Sequence, residues 1–334
     1  MVAYSAHVQL SDIIVRFESD RERDICELKS FFKYHLIDTT DESDCTVVLK
    51  RQASFHMPKD AEMLWQSLRH GDAEPARRFG RRRVSVPSKL NTNGLASCYY
   101  SRAREEYYYG LMLDLSWLCY HPSEHTIYHI LHQPPQRKNK AVGTEVSNPL
   151  NAMPLLIHVI TTVHGRYLAH GAAVAIDHKA SLFLGKSGSG KSTLSTDLAR
   201  QKASFMGDDL VLLYTKDGVP MVGSLLLQAK LYMDKADEKS SVDVPAELQT
   251  DYCLSAPLEA VYAVQQNGLP MSSVKPRPAT ELLQQLMEAS NGMMMQYDRQ
   301  QWLTTMYAIS EQTPYYLLHY GARSSLTTSL LKNR

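Results

Sequence analysis

Cysteine is scarce in this chain of 334 residues. The five present, Cys26, Cys45, Cys98, Cys119 and Cys253, are odd in number and include no C-x-x-C pair, which argues against a disulfide framework and for reduced thiols. An excess of either charge is also missing: 36 Lys and Arg face 35 Asp and Glu, a formal net charge of +1. A long polyanionic partner such as nucleic acid is therefore not expected. Long apolar runs are lacking too. The longest, around Met153 to Val163, is interrupted by His158 and two threonines, so no segment is expected to cross a membrane. The opening residues, Met1-Val2-Ala3-Tyr4-Ser5-Ala6-His7, lack the charged-then-apolar layout of a secretion signal, and a cytoplasmic location is expected. No internal repeat or low-complexity tract is visible.

What is present is enough for about two domains, each able to bury a core without disulfides or metals. Residues 8–133 mix short alternating runs, such as Ile13-Ile14-Val15-Arg16-Phe17, Thr46-Val47-Val48-Leu49 and Glu106-Tyr107-Tyr108-Tyr109, with helical patterns over 21–34 and 60–70. That predicts an α+β domain over residues 1–145. The polar, proline-bearing stretch from Pro134 to Asn148 carries no periodicity and marks the boundary. Residues 146–334 then read as a helix over 149–167, strands over 172–176 and 181–184, a glycine-rich loop and a helix. Strands follow over 210–214, around 223–231 and over 259–264, then helices over 280–289 and 299–309, a strand over 315–320 and a closing helix. Alternating strands and helices predict an α/β sheet domain.

The loop is the most informative stretch. Gly185-Lys186-Ser187-Gly188-Ser189-Gly190-Lys191-Ser192-Thr193 fits the phosphate-cradling pattern G-x-x-x-x-G-K-[ST]. Phosphate oxygens are met by backbone N–H groups in a tight loop, so glycine stands where a Cβ would block the approach. The apolar run Ala180-Ser181-Leu182-Phe183-Leu184 suits a buried strand before the loop, and Thr193 to Ala199 suits a helix after it. The N-terminal N–H groups of such a helix face the β-phosphate, Lys191 reaches the β/γ oxygens, and Ser192 ligates magnesium. ATP and Mg2+ are thus the expected cofactors.

Asp208-Asp209 follows by a single helix length and precedes the apolar Leu210-Val211-Leu212-Leu213. Two adjacent carboxylates cannot point the same way. One can hold magnesium while the other takes a proton from an attacking hydroxyl, as phosphoryl transfer to an alcohol requires. On its own the pair is equally a turn cap. His170, in Leu168-Ala169-His170-Gly171-Ala172, precedes a strand expected beside the one that feeds the loop.

The ordered set His170-Gly171, Gly185 to Ser192, then Gly207-Asp208-Asp209 resembles the catalytic core of HPr kinase/phosphorylase and its relatives, including kinases that tailor lasso peptides. These phosphate-loop kinases are similar in core to ATP-dependent phosphoenolpyruvate carboxykinases. The resemblance covers His170 to Leu213 well and the rest of the second domain in outline. It implies an HPr kinase/carboxykinase-like C-terminal domain behind the α+β N-terminal one. It also implies a serine-hydroxyl kinase in which Asp208 is the base, Asp209 and Ser192 hold magnesium, and His170 assists proton transfer. The sequence departs from true HPr kinases where they carry E-[VI]-R-G-x-G: here Gly223 to Leu231 reads Gly-Ser-Leu-Leu-Leu-Gln-Ala-Lys-Leu. That makes HPr an unexpected substrate and favours a peptide acceptor, of which a ribosomal natural-product precursor is one kind, with the N-terminal domain helping to select it. A small-molecule kinase and a nucleotide-dependent switch or ATPase are the alternatives. Oligomeric state is open, a homo-oligomer included.

A cation is expected to neutralise charge on the transferred phosphoryl. Arg277 and Lys275, in Val274-Lys275-Pro276-Arg277-Pro278, are the candidates, with Lys230 a weaker one, although a solvated loop explains the first two equally. The basic run Arg77 to Arg83, the tyrosines at 99–100 and 107–109 and Met293-Met294-Met295 read as a solvated face, a half-buried sheet and core filling. His121-Pro122-Ser123-Glu124-His125 spells H-x-x-E-H, but Pro122 opposes the helix a zinc site would need.

Overall fold

The computed structural model describes residues 4–38, 42–52, 96–101, 106–111, 116–132, 149–232, 239–266, 272–291, 299–320 and 331. The protein is a mixed α/β structure with several sheets. It divides into two units: Met1–Gln9 with Ile13–Ile160, and Leu10–Asp12 with Thr161–Arg334. The boundary expected at 145/146 lies outside the described residues, as do the helix expected over 60–70, the basic run at 77–83 and the methionines at 293–295.

The first unit contains β1 (Tyr4–Leu10), β2 (Ile13–Ser19), α1 (Glu22–Phe31), β3 (Leu36–Ile37), β4 (Cys45–Gln52), β5 (Ala96–Ser101), β6 (Glu106–Leu111), β7 (Ser116–His121) and β8 (Thr126–His132). They form one sheet in the order β3-β1-β2-β4-β8-β7-β6-β5. In it β2, β4 and β8 run parallel, and β8 to β5 form an antiparallel meander. β2 buries every second residue, Ile13, Val15, Phe17 and Ser19, as a strand with one covered face must. α1 packs Ile25 and Leu28, three apart on one stripe, into the core, where Phe32 meets Phe17 with ring centroids 5.7 Å apart.

A polar cluster lies at the carboxyl ends of the parallel strands. Asp24 of α1 accepts Arg51 Nη2 at 2.7 Å and Ser19 Oγ at 3.1 Å, and His129 is buried completely. Burial first, then the Arg51 charge, pushes the His129 imidazole down to about 3, against the opposing pull of Asp24. At the H-x-x-E-H sequence the chain makes a single 3-10 turn, Pro122–Glu124, between β7 and β8.

α2 (Met153–Val163) follows a 3-10 turn over Pro149–Ala152. It ends four residues before the expected 167, because Gly165 takes φ +70 and the N–H groups of Gly165 and Arg166 return to the carbonyls of Thr162 and Thr161. That glycine-capped stop satisfies the last carbonyls and releases the chain into a strand.

The second unit contains β9 (Tyr167–Ala169), β10 (Ala172–Ile176), β11 (Lys179–Leu184), α3 (Lys191–Arg200), β12 (Ser204–Gly207), β13 (Val211–Lys216), β14 (Val219–Ser224), β15 (Gln228–Tyr232), β16 (Lys239–Asp243) and α4 (Val244–Leu248). It finishes with β17 (Ser255–Gln266), β18 (Ser273–Arg277), α5 (Ala279–Asn291), α6 (Arg299–Gln312) and β19 (Tyr315–Tyr320). β17 forks the sheet. Its first residues, Ser255 to Pro257, pair with β14, which leads to β13 and β9. Its later residues lie between β11 and β19, both parallel to it, with β10 and β12 beyond β11 and β18 beyond β19.

The two faces of this sheet bury separate cores. On one, Leu194 and Leu198 of α3 meet Val174, Phe183, Tyr262 and Leu318; on the other, Leu282 and Leu286 of α5 and Trp302, Met306 and Ile309 of α6 meet Leu182, Val211 and Val261. Each buried leucine is worth about 2 kcal/mol of apolar transfer, so α3 is held chiefly by the sheet beneath it. Two strands differ from expectation. The single strand expected around 223–231 is broken at Leu225 to Leu227 into β14 and β15, and the Lys275–Arg277 stretch is an edge strand, β18, where a solvated loop was an equal expectation.

Candidate active site

β11 is apolar and buried from Ala180 to Leu184, and the chain turns at Gly185. A Cβ on Gly185 would stand 2.9 Å from the Val264 carbonyl oxygen and 2.8 Å from Ser189 Oγ, at a φ of +149. Only glycine fits there. The loop enters α3 through Gly190, at φ +97, and no side chain caps the helix. The N-terminal end of the helix dipole therefore meets a loop of exposed residues, Lys186 to Gly188, with Ser192 half-buried and Thr193 exposed behind it. Lys191 is buried, and its ammonium bonds the carbonyls of Gly185 at 2.8 Å and Lys186 at 3.2 Å. It thus lies directly over the loop.

The carboxylates reach the same edge through the forked sheet. Ala169 of β9 is opposite Val211 of β13, and Ala173 of β10 is opposite Gly207 of β12. The two links between these pairs, His170-Gly171 and Asp208-Asp209-Leu210, therefore pass side by side. Ala172 is opposite Phe183, so both links lie at the end of β11 where the loop begins. The approach is close: a Cβ on Gly171 would stand 3.0 Å from the Phe183 carbonyl oxygen.

Asp209 adopts φ +67, a left-handed conformation that aspartate tolerates better than most residues. This turns the two carboxylates apart. Asp208 is buried, whereas the Asp209 side chain is 37% exposed and its Oδ1 lies 2.9 Å from His170 Nδ1. The Asp209 carbonyl oxygen also lies 2.9 Å from that nitrogen. Two oxygen acceptors beside Nδ1 favour the form that carries a hydrogen there. Nε2 is buried and has no hydrogen-bond partner among the described residues. The His170 backbone is fixed from the other side, its N–H donating to Ala289 at the end of α5 at 2.9 Å.

No family model matches the chain, and no curated protein matches its sequence. Among solved structures it is similar to the Hpr(Ser) kinase/phosphatase from Coxiella burnetii, at 13% identity over 50% of this chain and 94% of that one, with a TM-score of 0.33. A likeness of that size leaves the chemistry to be read from the residues themselves.

His170, Lys191, Asp208 and Asp209 thus meet around the loop Gly185 to Ser192. Arg277 does not. It is opposite Tyr315, which is opposite Val261 and so level with Leu182, three strands across from β11. At the ordinary strand spacing that is roughly 14 Å from β11. Its guanidinium is occupied by Glu281, with both bonds at 2.8 Å. Lys275 stands on the same exposed edge strand. One contact beside the loop has no local signal in the sequence: Tyr320, at the end of β19, donates its hydroxyl to Asp197 of α3 at 2.7 Å across 123 residues.

Proposed function

We propose that the chain is an ATP-dependent kinase that transfers the γ-phosphoryl group to a serine-type hydroxyl on a peptide. Support comes from one observation: a glycine-strained phosphate loop and a divergent carboxylate pair with its histidine share one sheet edge. The loop N–H groups and Lys191 bind the phosphates of ATP. Asp208, buried where Asp209 is exposed, accepts the proton of the attacking hydroxyl, and His170, bonded to Asp209, assists that proton transfer. The oxygen donors of Ser192 and Asp209 suit magnesium, a hard cation that takes oxygen ligands. Bound there, it would neutralise charge on the β/γ-phosphates. With Arg277 remote, Lys191 is the cation that answers the transferred phosphoryl. A peptide acceptor follows from the motif resemblance and from the absence of the HPr kinase segment at Gly223 to Leu231.

The test is transfer of γ-labelled phosphate from ATP into a size-fractionated cell extract, comparing the protein with its Lys191→Ala variant. Label in peptides that needs Lys191 is the expected result. Label confined to metabolites would replace the peptide by a small hydroxyl compound, and free phosphate alone would point to an ATPase.

A further inference from the structure

Tyr320 is the last residue of β19, and β19 runs parallel to β17 and β11, so all three end at the edge that carries the phosphate loop. Its hydroxyl bonds α3, and its ring fills the space beside the residue that opens the helix. Its hydroxyl donates to Asp197 Oδ2 at 2.7 Å, and its ring carbon Cδ1 lies 3.5 Å from where a Cβ on Gly190 would stand. Gly190 and Asp197 are seven residues apart, two turns along one stripe of the helix. A bond at one end of that stripe and a ring standing beside the other restrain both roll and tilt. Asp197 is itself steadied by Arg200, whose Nη1 lies 2.8 Å from the other carboxylate oxygen. Tyr320 is 6% exposed, and burial, then the Asp197 carboxylate, push its phenol well above the usual tyrosine range. It therefore stays a donor at any working pH.

We propose that Tyr320 is a positioning residue for the phosphate loop, holding α3 by Asp197 and Gly190 so that the N-terminal N–H groups of the helix keep their aim at the nucleotide phosphates. This deepens the nucleotide-binding part of the function proposed above and rests on it. The hydroxyl acts through the helix and touches no reacting atom. A strand end more than a hundred residues downstream thereby sets the geometry of the loop.

The deciding variant is Tyr320→Phe, which keeps the ring and removes the bond, with Asp197→Asn as the conservative control that keeps an acceptor. Two quantities are read: the Kd for MgATP, and amide hydrogen exchange over residues 190–194 without nucleotide. In Tyr320→Phe the Kd is expected to rise about tenfold, the size of one lost charge-assisted bond. Exchange should quicken at 190–194 while the amides of α5 and α6 keep their wild-type rates. Asp197→Asn, which keeps a neutral acceptor and loses the charge, should fall between wild type and Tyr320→Phe in both. Wild-type exchange at 190–194 in Tyr320→Phe would overturn the proposal. So would a quickening spread evenly through the second unit, which marks general loosening. Failure of the unaltered protein to bind MgATP would retire the nucleotide reading instead, and the local exchange result would still decide whether Tyr320 holds the loop.

Discussion

Both units build three parallel strands and then use the carboxyl edge of that set in opposite ways. In the first, β2, β4 and β8 run parallel and α1 follows β2; in the second, β11, β17 and β19 run parallel and α3 follows the loop after β11. At α1 the chain supplies its own anions. Glu22 and Asp24 stand in the first turn, and Asp24 is closed over by Arg51 and Ser19. At α3 the first turn holds no acid, Gly190 is the N-cap, and the loop ahead of it carries positive φ at three glycines. Similar strand–helix geometry therefore gives a sealed ion pair in one place and, in the other, a helix end without an acid, which the proposed function fills with a nucleotide phosphate. The difference lies in side chains at the turn, not in the architecture.

Breaking the sealed edge should have the largest effect. Arg51→Met leaves the Asp24 carboxylate buried without its cation, at side-chain exposures of 6% and 4% in the native pair. A loss of about 3–5 kcal/mol in urea unfolding is expected, and the double variant Asp24→Leu/Arg51→Met should regain most of it. A single variant as stable as wild type would show that the pair contributes nothing.

The open edge is sharpened by two glycines that differ only in their surroundings. Gly185→Ala drives a methyl group against the Val264 carbonyl, whereas a Cβ on Gly188, at φ +84, meets nothing within 4 Å. Gly188→Ala then costs only the left-handed backbone penalty, about 1–2 kcal/mol or a tenfold weakening of ATP binding. Gly185→Ala should weaken it about a hundredfold or more. Equal losses in a titration with a fluorescent ATP analogue would contradict this.

Acid should separate the units most gently. Burial holds His129 at about 3 and His158 at about 4, both below the ordinary 6.5, and both residues belong to the first unit. The unfolded chain takes up these protons first. The stability they contribute is therefore complete above about pH 7 and falls as pH drops from 6.5, to about 4 for His158 and about 3 for His129. At pH 5 each costs about 2 kcal/mol. Hydrogen exchange at pH 5 should open the first unit ahead of the second, corrected for intrinsic rates, and His129→Met should remove about half of the pH dependence.

How much of this is legible in the sequence follows from how local each feature is. β11, the loop and α3 depend on adjacent residues: an apolar run, glycines at fixed spacing, then Leu194 and Leu198 four apart. β10 is equally plain, its bounds Ala172–Ile176 matching expectation. His170 and Asp209 can each be named as candidates, but their meeting depends on two links crossing a forked sheet, which no periodicity encodes. Arg277 misleads for a different reason. It is a candidate because phosphoryl transfer calls for a cation, yet Glu281 lies four residues on and binds it, a spacing present in the sequence itself. The Tyr320–Asp197 bond is silent in the sequence because its partners are brought together only by strand order.

The fork at β17 also has a consequence for synthesis. β11 is complete at Leu184, but its parallel neighbour begins at Ser255 and the next strand, β19, begins only at Tyr315. A nascent chain ending anywhere before them has written its phosphate loop without the strands that hold it. Such distant pairings are slow to form and leave strand edges exposed meanwhile. On the proposed function, the loop therefore gains its full support only once β17 has docked beside β11 and β19 beside β17.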